Sequence, residues 1–283
     1  KRPELITGYA MGPIEKLGLL KMDFLGLRTL TVLANTVNLI KESRGITIDL
    51  DALPLDDAKA YAMLSEAKTF GVFQLESSGM REALRGPKPE RLEDLIAMVS
   101  LYRPGPMELI PDFIARKHGR AKITYEHPAM ETFTRETYGI MVYQEQIMQI
   151  ASEMAGFTMG EADILRRAMG KKDRELMAKQ REKFLGGCRE RGTTAAKAER
   201  VWELMEKFAG YGFNKSHAAA YGLVAYQTAY FKANYPVEFM AALLTSEMGD
   251  TDKIVKYIDE CRAMGIRVEP PDVNVSAVQF SVA

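Results

Sequence analysis

Two segments of the chain combine cations with glycine in a way that suits a polyanionic ligand. In the first, Arg166, Arg167, Lys171 and Lys172 place four cations within seven residues, with Gly170 between the pairs. A guanidinium can contact phosphate with two donors, and an ammonium adds a compact charge. Because adjacent helical residues diverge by about 100°, we expect one arginine to engage phosphate and the other to contact a strand backbone or anchor the helix. The alternative is a solvated basic face.

The second segment lies at the junction of two predicted helices, where Asn214 or Ser216 can cap the later one. A helix N-terminus presents unpaired N–H groups to an anion, and Lys215 adds charge there. His217 could donate to a phosphate oxygen or lie satisfied in the core, and Tyr211 could stack on a base or simply pack. Together the two segments predict a polyanion site, with a nucleoside triphosphate as the leading candidate.

Asp23 is the acidic residue best suited to a metal–phosphate site. Residues 17–25 alternate between apolar and polar types, which predicts a strand with Lys21 and Asp23 on one face. The carboxylate could ligate Mg²⁺ while the ammonium neutralises phosphate oxygens; the alternative is an exposed ion pair at a strand edge. One carboxylate cannot hold two metal ions. The acidic pair in 49–51 precedes a helix cap, so we interpret it as a solvated loop.

Composition excludes several classes of protein. Of the 283 residues 38 are basic and 38 acidic, so attraction to nucleic acid must come from local patches. Residues 160–191 hold ten basic and six acidic side chains, whereas 236–283 hold four and eight. Cys188 and Cys261 are far apart, which indicates reduced thiols in a cytoplasmic protein. The apolar run 218–231 is shorter than the about 20 residues that span a bilayer.

The pattern predicts a mainly α protein, with a large helical domain joined to a short β-containing segment at the N-terminus. Apolar residues recur at helical spacing through most of the chain. The predicted helices cover 29–44, 56–66, 89–101, 140–155, 163–169, 173–191, 195–209, 217–234, 236–248 and 251–264. The Pro-Gly-Pro run at 104–106 must form a non-helical turn. The polar residues of 73–80 and 143–146 favour buried, hydrogen-bonded packing.

Six motifs in order along nearly the whole chain identify a family. They are the segments 18–30, 72–77, 103–106, 138–146, 165–172 and 208–221. In these segments the chain resembles the α subunit of bacterial DNA polymerase III, the family C replicative DNA polymerases. The resemblance implies that residues 1–28 end the polymerase palm, 29–268 form the helical fingers and 269–283 are an exit linker.

The same resemblance implies Mg²⁺-dependent nucleotidyl transfer. Asp23 matches one of three catalytic aspartates, and the other two belong to a Pro-Asp-x-Asp motif upstream of this chain. Lys21 is then expected to contact the triphosphate beside Asp23. The residues expected to line the fingers side of the incoming dNTP are Arg166, Arg167, Tyr211, Lys215 and His217.

The implied partners are dNTP, primer–template DNA, and a sliding clamp with other replisome subunits that bind mostly outside this chain; no membrane is implied. Because the chain begins without Met and lacks two of the palm aspartates, we expect an enzyme fragment that is inactive alone. The alternatives are a non-catalytic helical module that binds nucleic acid, and a helical scaffold with no ligand.

Overall fold

The chain folds as an array of α-helices, which confirms the predicted mainly α class. A computed structural model describes residues 5–22, 24–171 and 173–283. Within these ranges there are fourteen α-helices, three short 3₁₀ turns and no β-strand. One isolated parallel bridge joins Tyr143 to Phe213.

The helices are numbered in chain order. The first seven are α1 (Met11–Lys16), α2 (Arg28–Arg44), α3 (Ala58–Ser65), α4 (Ser78–Leu84), α5 (Leu92–Leu101), α6 (Ile110–Lys117) and α7 (Pro128–Thr134). The second seven are α8 (Gln144–Ala155), α9 (Met159–Lys171), α10 (Arg174–Glu190), α11 (Ala195–Phe208), α12 (Lys215–Asn234), α13 (Pro236–Ser246) and α14 (Thr251–Ala263). The 3₁₀ turns span Leu50–Ala52, Pro106–Leu109 and Arg135–Thr137. In the part of the chain described, no helix is both long and apolar enough to cross a bilayer.

The predicted strand at 17–25 is wrong for the residues described there. Residues 17–22 and 24–25 form neither strand nor helix. Leu20 and Phe24 are 84% and 92% exposed instead of sharing a buried face. A strand needs a neighbouring strand to satisfy its backbone N–H and C=O groups, and none lies among the described residues. Asp23 lies outside the described residues.

Asp173 and Asn214 cap their helices as predicted, whereas the cap of α3 is Asp57, one residue after the predicted start at 56. The side chains of Asp57, Asp173 and Asn214 each accept a hydrogen bond from an N–H three residues later, at the starts of α3, α10 and α12. Gly45 ends α2 in the left-handed conformation, with φ of 71°. The starts predicted at 89 and 140 are wrong, because α5 and α8 begin three and four residues later.

α12 is the central helix, and it packs against α3, α5, α2 and α13. Small side chains allow the close approach of α5: Ala218, Gly222 and Ala225 are buried. A methyl group added at Gly222 would lie 2.7 Å from Ile96 Cγ1. The buried helix predicted over 217–234 is confirmed, and α12 begins two residues earlier.

Three apolar clusters form the core. The first joins α3, α4 and α5 to α12. The second lies among α8, α9, α10 and α11, where the Phe184 and Trp202 rings are 5.5 Å apart. The third joins α2, α13 and α14, and Phe280 of the C-terminal tail packs against it. The candidate site lies where α9, α11 and α12 meet the start of α8, so the first two clusters position it.

The buried ammonium of Lys232 connects distant parts of the chain. Lys232 Nζ donates to the Lys68 and Phe70 carbonyls at 2.9 and 2.7 Å and contacts Glu260 Oε1 at 2.6 Å. Burial lowers the pKa of Lys232 from its usual value. These contacts join α12 to α14 and to the loop after α3. The three contacts compensate for the burial of the ammonium and stabilise the fold.

The crossing of α8 and α10 predicts the effect of one methyl group. A β-carbon at Gly187 would lie 2.0 Å from the Ala155 carbonyl oxygen, whereas one at Gly186 meets nothing within 4 Å. We therefore expect Gly187→Ala to lower the free energy of unfolding by about 1–3 kcal/mol through overpacking. Gly186→Ala should raise it by about 0.5–1 kcal/mol through helix propensity. Urea denaturation of both variants measures the difference, and equal effects would contradict the close crossing.

Candidate functional site

Backbone hydrogen bonds fasten the turn between α11 and α12 to the start of α8. Phe213 N–H donates to the Val142 carbonyl at 3.1 Å, and Gln144 N–H donates to the Phe213 carbonyl at 2.9 Å. Gln146 fixes the preceding segment, because its Oε1 accepts from the N–H groups of Val142 and Tyr143 at 2.8 and 2.9 Å. The predicted packing role of this glutamine is confirmed, and the bridge brings the second predicted segment against α8.

The turn at 103–106 also contacts the turn between α11 and α12 and helps to hold it in place. The Arg103 guanidinium donates to the Tyr211 carbonyl. Its Cζ lies over the Phe213 ring, 4.5 Å from the centroid, within cation–π range. The Tyr211 ring packs on Gly105, where a β-carbon would lie 2.7 Å from the ring Cε1. In this structure the half-buried Tyr211 side chain therefore packs, which is one of the two roles expected of it.

Internal acceptors occupy the N-terminus of α12. Asn214 Oδ1 accepts from His217 N–H at 2.8 Å, so Asn214 is the cap and Ser216 is not. The Glu145 carboxylate accepts from Lys215 N–H at 2.9 Å and from Asn214 Nδ2 at 3.0 Å. A carboxylate thus already lies where an anion is favoured, at the positive end of the helix dipole.

The two arginines of α9 share a single carboxylate. Asp163 Oδ1 lies 2.8 Å from Arg166, and its Oδ2 lies 3.1 Å from Arg167 Nε. Both guanidinium groups meet at Asp163 in this structure, and the separate roles expected of the two arginines towards a phosphate stay a prediction. Lys172 lies outside the described residues, as does the side chain of Lys171.

Gln144 links the arginine helix to the turn. Its Nε2 donates to the Gly212 carbonyl at 3.2 Å, and its Oε1 accepts from Arg166 Nη1 at 3.5 Å. A small cleft opens at this junction, and its lining residues are Gln144, Ile147, Arg166, Met169, Gly170, Phe208, Ala209 and Gly212. The two predicted segments therefore meet, as expected, around one cleft.

Lys215 faces a different hollow. Its Nζ contacts both oxygens of Glu136, at 2.7 and 2.9 Å, and lies 5.6 Å from the centroid of the Tyr143 ring. Burial raises the pKa of Tyr143, so the ring stays neutral beneath the ammonium. The hollow is lined by Arg91, Thr132, Phe133, Arg135, Glu136, Gln149 and Lys215. Lys215 thus neighbours the cleft through the backbone, while its side chain lies outside it.

His217 belongs to a row of rings along the start of α12. It stacks on Tyr221 with centroids 4.3 Å apart and meets Phe213 edge-on at 5.6 Å. Tyr221 in turn lies 5.3 Å from Phe73. His217 is exposed, so its ring edge is accessible while its face is partly covered by Tyr221.

The acidic positions are only partly described. Lys21 is exposed in the segment between α1 and α2, and Asp23 lies outside the described residues. Asp49 caps a 3₁₀ turn by accepting from Asp51 N–H at 3.0 Å, which agrees with its interpretation as a capping loop. Within the described ranges no group of three or more His, Cys, Asp or Glu side chains is arranged to hold a metal.

Sequence reasoning missed the carboxylates that accompany the cations. Asp163 could have been found, since it precedes Arg166 and Arg167 by three and four residues, the spacing of helical ion pairs. Glu136 and Glu145 could not, because they reach Lys215 only through the tertiary fold. Arg103 carried no local signal for its contact with Tyr211.

Comparison with known proteins gives the family. The family described as bacterial DNA polymerase III alpha subunit finger domain matches residues 29–192. DNA polymerase III subunit alpha of Thermus aquaticus is 60% identical over 282 residues, covering 98% of this chain and 23% of the relative. The subunits of Pseudomonas aeruginosa and Bacillus subtilis are 52% and 51% identical, each covering 98% of this chain and 25% of the relative. The chain thus spans about a quarter of the length of these curated relatives.

The contact between Tyr211 and Gly105 predicts a strong steric effect. Gly105 has φ of 98°, a conformation that costs a side chain energy, and its β-carbon position meets the tyrosine ring. Gly119 has φ of 67° but open space around it. We expect Gly119→Ala to cost about 1 kcal/mol of unfolding free energy, and Gly105→Ala at least about 1 kcal/mol more.

Urea denaturation of the two variants, and of Gly105→Ala combined with Tyr211→Ala, checks this prediction. Removing the ring should recover part of the additional loss at Gly105, because the methyl group then has room. If the double variant recovers nothing, the turn at 103–106 does not hold Tyr211 as described.

Proposed function

We propose that this chain binds the incoming dNTP for a DNA-directed DNA polymerase. The chain belongs to the family of bacterial DNA polymerase III alpha subunit finger domains. The observation that carries this proposal is the cleft where Arg166 and the turn at Gly212 meet through Gln144. Arg166 of α9 and the backbone of the turn both line this cleft. A polyanion is the ligand that such a cleft suits.

The internal ion pairs are compatible with nucleotide binding. Asp163 pairs with both Arg166 and Arg167, and Glu136 pairs with Lys215, which limits repulsion among these clustered cations. A triphosphate carries several negative charges and offers more acceptors than a carboxylate, so it competes well for the same donors. We propose that Lys215 leaves Glu136 and turns towards the triphosphate, while His217 and Tyr211 border the sugar and base.

The reaction proposed for the whole subunit is attack of the primer 3′-hydroxyl on the α-phosphate, with pyrophosphate leaving. Arg166, Arg167 and Lys215 neutralise charge that builds on the triphosphate, and Lys21 does so beside Asp23. When bound, Mg²⁺ supplies Lewis-acid stabilisation of the attacking and leaving oxygens. A carboxylate is a suitable ligand for it, so we propose Asp23 as one ligand and acidic side chains outside this chain as the others.

Base pairing with the template selects the nucleotide, so the fingers read shape and phosphate rather than base edges. We propose residues 1–28 as the end of the palm, 29–268 as the fingers and 269–283 as a linker. The exposed apolar side chains of Leu20 and Phe24 support the first boundary, because they suit a segment that packs against further protein. Primer–template DNA is the proposed partner of this region, and a sliding clamp binds elsewhere in the subunit.

Asp23→Asn in the full-length subunit tests the metal assignment. We expect the rate of dNTP incorporation to fall at least about a hundredfold, since losing a metal ligand removes several kcal/mol of transition-state stabilisation. DNA affinity should stay unchanged. Primer extension and DNA binding measure the two quantities, and the chain alone, assayed beside them, should incorporate nothing. A near-normal rate for Asp23→Asn, or turnover by the chain alone, would contradict the assignment.

Lys215→Ala in the full-length subunit tests the nucleotide site. We expect the KM for dNTP to rise about tenfold, because a charge-assisted hydrogen bond is lost, with little change in duplex affinity. Lys179→Ala is the matched control, since Lys179 forms a similar 2.9 Å pair with Glu175 on exposed α10. Equal losses of nucleotide and duplex binding would make Lys215 a contact to the DNA backbone and favour the nucleic-acid-binding module.

A further inference from the structure

We propose that Asp163 is a positioning residue that aims Arg166 and Arg167 together at the triphosphate, an inference that rests on the proposed function. Side chains of neighbouring helical residues point in directions about 100° apart. Left to themselves, the two arginines of α9 would therefore serve different surfaces. A carboxylate one turn earlier, at spacings of three and four, can reach both.

The contacts show how the carboxylate divides its oxygens. Oδ1 lies 2.8 Å from both Nε and Nη2 of Arg166, and Oδ2 lies 3.1 Å from Nε of Arg167. Each arginine therefore uses its own oxygen, so the two hold the carboxylate without competing. Both guanidinium groups are drawn to one side of α9.

The donors that remain are the ones a phosphate needs. Asp163 engages Arg167 through Nε, and the two terminal nitrogens of Arg167 have no hydrogen-bond partner among the described residues. Arg166 keeps Nη1, which donates to Gln144 Oε1 at 3.5 Å, at the edge of the cleft. Terminal guanidinium nitrogens give the bidentate geometry of phosphate recognition. The carboxylate thus holds Nε of each guanidinium and Nη2 of Arg166, and it leaves Nη1 of Arg166 and both terminal nitrogens of Arg167 for a ligand.

The pair formed by Lys215 and Glu136 is arranged differently. Both oxygens of Glu136 contact the single Nζ of Lys215, at 2.7 and 2.9 Å, so a ligand must displace or share that carboxylate. Asp163 need not move for a phosphate to bind the arginines. Because its side chain is 38% exposed, its ion pairs contribute little to global stability. Orientation is therefore the effect that should remain measurable.

An alternative role for Asp163 predicts the opposite effect of its removal on nucleotide binding. If Asp163 only occupied the place of a phosphate, removing it would free the arginines and tighten nucleotide binding. If it positions them, removing it lets two flexible side chains disperse, and binding weakens because their ordering must then accompany each binding event.

The experiment uses the full-length subunit with primer–template DNA and measures the KM for dNTP and kcat separately. Asp163→Ala should raise the KM about three- to tenfold with a smaller change in kcat. Asp163→Asn, which keeps one acceptor oxygen, should fall between it and the parent. Glu175→Ala on α10 removes a comparable exposed pairing carboxylate and should change neither constant.

Arg166→Ala combined with Arg167→Ala separates the two proposals. If this double variant leaves the KM unchanged, the nucleotide site itself is wrong. If it raises the KM while Asp163→Ala leaves it unchanged or lowers it, only the positioning role is wrong. Adding Asp163→Ala to the double variant should have no further effect, because Asp163 acts through the arginines; an undiminished further effect would also overturn the inference. Thermal unfolding checks that each variant folds, and the asparagine variant serves where alanine does not.

Discussion

The parallel bridge between Phe213 and the start of α8 is the constraint on which the candidate site depends. Two backbone hydrogen bonds and the Arg103 side chain bring the turn after α11 to the glutamine that begins α8. α9 follows α8 and packs against it, so Arg166 arrives beside the same glutamine. A cleft lined by segments distant in sequence thus results from one short contact between backbones.

The pairing of its cations with internal carboxylates is the second property of the site. Four of the described groups expected to attract an anion already contact a carboxylate: the two arginines pair with Asp163, the Lys215 ammonium pairs with Glu136, and the first N–H of α12 donates to Glu145. These ion pairs reduce the electrostatic repulsion among the clustered cations when no ligand is bound. The arrangement favours the proposed ligand with several charges, since a weak anion gains little by replacing a carboxylate.

The sequence predicts local features of this fold better than contacts between segments. Capping by Asp173 and Asn214 is predictable because the capping residue and the N–H that donates to it lie three positions apart. The strand at 17–25 failed because alternation describes a half-buried surface, and no partner strand is described here. The contact between α9 and the turn at Gly212 was expected only because both segments suit the same ligand. Glu136 and Glu145 reach Lys215 through the fold, so no spacing could reveal them.

The most direct measurement is a structure of the full-length subunit with primer–template DNA and a non-hydrolysable incoming nucleotide. The account predicts triphosphate oxygens within hydrogen-bonding distance of the terminal nitrogens of Arg166 and Arg167, beside the turn at Gly212, with Asp163 still holding Nε of both arginines. A triphosphate bound away from this cleft, with the guanidinium groups contacting only protein, would contradict it.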